Sequence, residues 1–145
     1  MMYTISPLSR RMGAWNWWLW KVYRHRTLLT EILLRNGFTQ DEANTLKAEH
    51  MEAFFDQMIE YLRSVDDSKD AARRHEVMVR HFGLKTGWRE TLQSIGNEHQ
   101  LSRERIRQLV AMRMNLFQTD EAREKLEAYI VKLARALLSS KPKSE

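Results

Sequence analysis

The chain has no cysteine. This excludes disulfides and thiolate metal sites, and it fits a reducing compartment. Proline stands only at positions 7 and 142, so nothing between them forbids long helices. No apolar run approaches the roughly 20 residues a membrane span needs, so no membrane partner is expected. No stretch alternates with the strand period over any length. His25, His50, His75, His81 and His99 are scattered, without a ligand spacing among themselves or with acids, and predict no metal site. Asp56 and Glu60 share a helix face, but no nucleophile and no glycine-rich phosphate loop accompanies them. A catalytic constellation is therefore missing, and the expectation is a non-enzymatic protein without a cofactor.

What the chain does have is charge, and its distribution is uneven. The pI is near 9.7 and the formal net charge +5. Residues 1–38 carry net +5, residues 39–65 net −4, residues 66–117 net +3 and residues 118–145 net +1. A basic balance favours an anionic partner, with position counting for more than the total. Near the start, "SRRMGAWNWWLWKV" sets an arginine pair before an aromatic run. Asn16 and Lys21 interrupt the run and no small-residue cleavage site follows, so it is not read as a signal peptide. The expected location is cytoplasmic, associated with the nucleoid.

Hydrophobic periodicity reads as helix throughout. A first helix is expected from Met12 to Arg35, with Trp18, Val22, Leu29, Ile32 and Leu33 near helical spacing and Gly37 as its stop. Thr39 opens a second, with Glu42 completing a capping box. Its apolar stripe is Ala43, Leu46, Phe54, Met58 and Leu62, widened by Phe55 and Ile59. "SVDDSKD", Ser64 to Asp70, breaks it. Ser68 is the expected cap of a third helix that runs through Val77, Met78 and Phe82 to Gly83. "LKTGWRE" is a loop. Two short helices, Glu90–Glu98 and Arg103–Phe117, flank a turn at His99–Ser102, and Thr119 caps the last helix. "SSKPKSE", from Ser139, reads as a frayed tail. The predicted class is all-α with about six helices.

The turn and the helix after it carry the chemistry. In "HQLSRERIRQL" arginine recurs at 103, 105 and 107, with Gln108 next. Ser102 caps the helix. At about 100° per residue, Arg103, Glu104, Arg107 and Gln108 share one face, while Ile106, Leu109 and Val110 point to a core. Arginine can read guanine bidentately, glutamine adenine, and glutamate can accept from cytosine. Arg105 lies off that face and is assigned to a phosphate or a salt bridge. The preceding segment, "TLQSIGNEHQLS", places Leu92 and Ile95 inward, Gly96 at a close helix approach and Leu101 as the buried turn residue. This is the helix-turn-helix layout, with the second helix in the major groove and the first across the backbone. Thr91, Leu92 through its amide, Gln93, Ser102 and Arg105 are the expected backbone contacts.

The stretch "RHFGLKTGWRETLQSIGNEHQLSRERIRQLVAMRMNLF" resembles region 4 of the bacterial housekeeping-type sigma factors. Phe82-Gly83-Leu84, Thr91-Leu92, Ile95-Gly96 and Ser102 to Gln108 fall in register with that family's pattern. The match spans about Glu76 to Phe117, under a third of the chain. The resemblance implies reading of the minus-35 promoter element and docking on the flap of RNA polymerase. Beyond Gln108 the chain departs from the family's I-E-A-K-A-L-x-K-L-R: a lysine is replaced by Met112, and the closing basic pair is gone. His81 stands where the family usually has arginine. Only about 70 residues precede the match, too few for the region a sigma factor uses to melt the start site.

The expected organisation is a Trp-rich then acidic helical interaction region at 1–65, the sigma-like module at 66–117, and a C-terminal helix and tail at 118–145. Trp15, Trp17, Trp18 and Trp20 are too many for one face and are assigned to the core together with a homodimer interface. Leu126, Ile130, Leu133 and Leu137 follow a 4-3-4 spacing that suits packing on the domain and also permits a short dimer seam. The expected function is a sequence-specific transcription regulator, a homodimer on double-stranded DNA. Two alternatives accompany it: a sigma-like accessory protein of RNA polymerase, and an adaptor whose helix-turn-helix binds protein.

Overall fold

A computed structural model describes residues 5–66 and 68–140. All secondary structure among them is helical. Helix α1 spans Pro7–Tyr23. It starts at Ser6, whose hydroxyl accepts from the Ser9 amide at 3.1 Å, with Pro7 in the first turn. It ends at Arg24, in a left-handed conformation with φ 64°. The single helix expected over Met12–Arg35 is therefore two helices, the second being α2, Leu29–Arg35. A rod of 24 residues would be about 36 Å long. By folding back, the chain lets both of its apolar stripes, Trp18–Val22 and Leu29–Leu33, enter the same core. Asn16 secures the corner, its side-chain oxygen accepting from the Leu29 amide at 2.9 Å.

The capping box at Thr39 is present in full: the Glu42 amide donates to Thr39 Oγ1 at 3.0 Å and the Thr39 amide to Glu42 Oε1 at 2.9 Å. It opens α3, Gln40–Thr45, which continues through one widened π turn, Leu46–His50, into α4, Met51–Ser64. The extra residue in that turn rephases the stripe. Leu46 and Met51, five apart, are both buried, as are Ala43, Phe54, Phe55, Met58 and Leu62. Ile59 is partly buried.

Helix α5, Ala71–Phe82, has Asp70 at its cap without a side-chain hydrogen bond, not Ser68. The Ser68 amide is taken by Asp66 Oδ1 at 3.0 Å, and Ser68 contributes its carbonyl to the Ala71 amide instead. Gly83 closes α5 with φ 72°. A Cβ there would meet the Trp88 backbone at 2.8 Å, so glycine is required both by conformation and by space. Helices α6, Leu92–His99, and α7, Arg103–Asn115, follow, then α8, Asp120–Ser139, capped by Thr119 Oγ1 accepting from the Ala122 amide at 3.1 Å. Of the expected tail, Ser139 closes α8, Ser140 is its cap, and 141–145 lie outside the described residues.

One buried cluster runs from Trp15 through Phe55, Met78, Ile106 and Phe117 to Ala134, crossing all three expected segments. Helix α5 sits at its centre, against α1, α4, α6 and α7. Trp15 stacks on Phe55 with ring centroids 5.4 Å apart, and its indole N–H donates to the Leu84 carbonyl at 2.9 Å. Trp18 is fully buried. These two belong to the core, which corrects the interface expected of them. Trp17 is half-buried against Phe82, and of the four only Trp20 stands largely exposed. The α8 stripe packs on the domain, the first of the two uses its spacing allowed, and not in a dimer seam. Leu126, Ile130 and Leu133 are buried and Leu137 half-buried, because α2, the π turn and α4 cover that stripe. Glu127 adds a polar tie, accepting from Tyr23, Asn36 and Arg35.

Candidate nucleic-acid interface

Local chemistry sets both ends of the α6–α7 unit. Thr91 Oγ1 accepts from the Ser94 amide at 3.0 Å and starts α6. The amides of Leu92 and Gln93 lie in the first helical turn, where a helix supplies no internal acceptor. Gln100 ends α6 in the left-handed region, φ 58°, and the Leu101 amide returns to the Gly96 carbonyl at 2.9 Å. A Cβ on Gly96 would stand 2.6 Å from the Leu101 carbonyl oxygen and 3.5 Å from Ile106 Cγ1. Thus the turn itself, more than the second helix, demands glycine here. Ser102 Oγ then accepts from the Arg105 amide at 3.0 Å and opens α7.

The two sides of α7 separate as their spacing predicts. Ile106, Leu109 and Val110 are buried with Ile95, while Leu92 and Leu101 are partly buried. Arg103, Glu104, Arg105, Arg107 and Gln108 are all exposed, as are Thr91, Gln93 and Ser102. The exposed groups pair along the helix. Arg107 grips Glu104 through two nitrogens, at 2.8 and 2.5 Å, and this partner holds the Glu104 carboxyl below its usual range. Arg105 donates to Gln108 at 3.2 Å, so the salt bridge offered for Arg105 is instead an amide contact. Gln93 is tied to Asn97 at 2.8 Å. Arg103 has no carboxylate partner among the described residues.

Two supporting arginines went unnoticed in the sequence. Arg80 on α5 meets Glu90 at 3.0 and 2.7 Å, Glu76 at 3.3 Å, and Glu98 of α6. Glu90 and Glu98 drive its pKa further up. The fork clamps both ends of the segment that leads into and through α6. Arg113 on α7 is fully buried and donates to the Leu62 carbonyl at 2.5 Å, at the last turn of α4. Burial pushes its pKa down, and its Nε and Nη1 find no acceptor among the described residues. Its register was available: 106, 109, 110, 113 and 114 follow i, i+3, i+4, i+7, i+8, the buried stripe of a helix. The residue type concealed it.

Among the described residues no group of three His, Asp or Glu side chains is placed to hold a metal ion, and no helix is long and apolar enough to cross a membrane. An open groove of about 510 Å³ lies between α4 and α8 and includes Tyr61, Tyr129 and Leu133. No protein-family model, curated protein or solved structure matches the chain.

Proposed function

We propose that the chain is a sequence-selective DNA-binding transcription regulator that sets α7 in the major groove as the second helix of a helix-turn-helix. One observation carries this reading. Five exposed polar side chains, Arg103 to Gln108, project from the first two turns of α7, while the opposite side of the same turns is anchored by Ile106, Leu109 and Val110. Arg103, Arg107 and Gln108 select bases, and Glu104 acts through its grip on Arg107, aiming the guanidinium before DNA arrives. Thr91, the α6 amides at Leu92 and Gln93, Ser102 and Arg105 hold phosphates. The resemblance to sigma region 4 supports the same assignment.

With Trp15 and Trp18 in the core and most of the α8 stripe covered, little of the expected dimer surface is left. A single asymmetric half-site is the expected target. Selection from a random duplex pool near physiological salt tests this, because weak salt lets phosphate binding mask sequence preference. Arg107→Ala and Gln108→Ala should each relax preference at one position, by about 1–3 kcal/mol of discrimination. An unchanged selected sequence in both variants contradicts the assignment. The second reading, an accessory protein of RNA polymerase, draws on Met112, 44% exposed where the sigma pattern has lysine. It predicts that polymerase co-purifies with the chain and is lost with Met112→Lys.

A further inference from the structure

A second basic surface adjoins α6, built from α1 and the loop 84–91. No acid precedes Glu31 in the chain, so α1 carries charge of one sign. The guanidinium carbon of Arg10 lies 4.1 Å from the centroid of the Trp88 ring, and that of Arg89 lies 4.7 Å from the Trp17 ring. Stacking on an aromatic face holds a guanidinium in place without neutralising it. Neither arginine, nor Lys85 of the same loop, has a carboxylate partner among the described residues, and Glu90, the acid of this loop, is taken by Arg80. Gly87 pins the loop to α1: a Cβ there would meet Arg10 Cβ at 2.9 Å and the Arg11 amide nitrogen at 3.0 Å. Between the two arginines is a hollow of about 280 Å³ lined by Arg10, Gly13, Ala14, Trp17, Gly87 and Arg89. Trp88 itself is 62% exposed.

This corner is continuous with the proposed interface. Arg89 and Trp88 precede Thr91 by two and three residues, at most about 11 Å of extended chain. We propose that Arg10 and Arg89, held on Trp88 and Trp17, grip the DNA phosphodiester backbone beside the bases read by α7. The inference rests on the DNA-binding reading above, and charge complementarity selects the occupant: two fixed cations over a small-residue floor suit a phosphate oxygen. α1 thereby becomes part of the binding surface through Arg10, which lies outside the 66–117 module.

The experiment measures binding of the intact chain to its selected duplex across a salt series, with hydroxyl-radical footprints of the same complexes. Arg10→Gln and Arg89→Gln should each lower the slope of log K against log salt by about 1. Together they should erase backbone protection on the α6 side while the selected sequence stays the same. Lys132→Gln, at an exposed position of α8, controls for net charge and should leave the slope intact. Thermal melts by circular dichroism confirm folding, and Arg10→Lys, which keeps the charge, should retain most of the slope even if the Trp88 stack is lost. Unchanged slope and footprint in the double variant, or an equal loss with Lys132→Gln, overturns this contact and leaves the DNA reading standing. A wild-type chain that selects no sequence overturns both.

Discussion

Arg107 and Arg113 stand six residues apart on α7, and the helix uses them in opposite ways. Six residues turn the helix by about 600°, which leaves the two side chains about 120° apart around its axis. Arg107 is 58% exposed and rests on Glu104. Arg113 is wholly buried and reaches the Leu62 and Arg63 carbonyls at the end of α4. The N-terminal half of α7 is thus free to meet a partner, and its C-terminal half ties the 1–65 segment to the rest of the chain. An arginine is a binding group or a structural one according to its angle on the helix, and this helix has both.

Stability measurements can break that contrast. Arg113→Ala should cost about 3 kcal/mol in urea unfolding, because it opens a cavity and strands two carbonyls. Arg113→Met should cost clearly less, since an apolar chain of similar length carries no guanidinium nitrogens in need of acceptors. Equal losses in the two variants would show that the hydrogen bonds, not the volume, hold α7 to α4.

Acid should probe the same region next. His75 is buried beside Arg113, and burial, with the Arg113 and Arg63 charges, lowers its pKa to about 4. In the unfolded chain it titrates near about 6.5. The folded state therefore resists protonation. Its full contribution is present above about pH 6.5 and is lost as pH falls toward 4, by about 3 kcal/mol over that window. His75→Gln should flatten this part of the stability-against-pH curve. If wild type and variant fall in parallel, His75 is not the group responsible.

The smallest effect is expected at the other end of the helix. Arg107→Ala should change unfolding free energy by no more than about 0.5 kcal/mol, since an exposed i, i+3 pair adds little. The same substitution should nevertheless change base preference. A large stability loss from it would make Arg107 structural too and remove the contrast.

Much of the candidate interface was legible in the sequence, because its signals are local. Ser102, Thr39 and Thr119 cap helices through hydrogen bonds that span three residues. The inward placement of Ile106, Leu109 and Val110 follows from periodicity alone. Where the sequence reading failed, the cause lay farther along the chain. Arg24 ends α1 although the apolar spacing continues, because the stripe beyond it must fold back to reach the core. Asp70, not Ser68, stands at the cap of α5, while Ser68 sits two residues earlier with its amide held by Asp66. The tryptophans show the limit most clearly: four in six positions require both burial and exposure, but spacing does not say which face Phe55 and Leu84 will cover.

The sequence by itself determined the all-helical class, the start of α7 at Ser102, and the polar face at Arg103–Gln108. Each depends on contacts within a turn or two of helix, and those are written in order along the chain. Only the tertiary structure decided that Trp15 and Trp18 are core, that Arg113 is buried under α4, and that Arg10 meets Trp88. Those contacts join residues 40 to 78 positions apart, and burial against a distant surface overrides what residue type and local spacing favour.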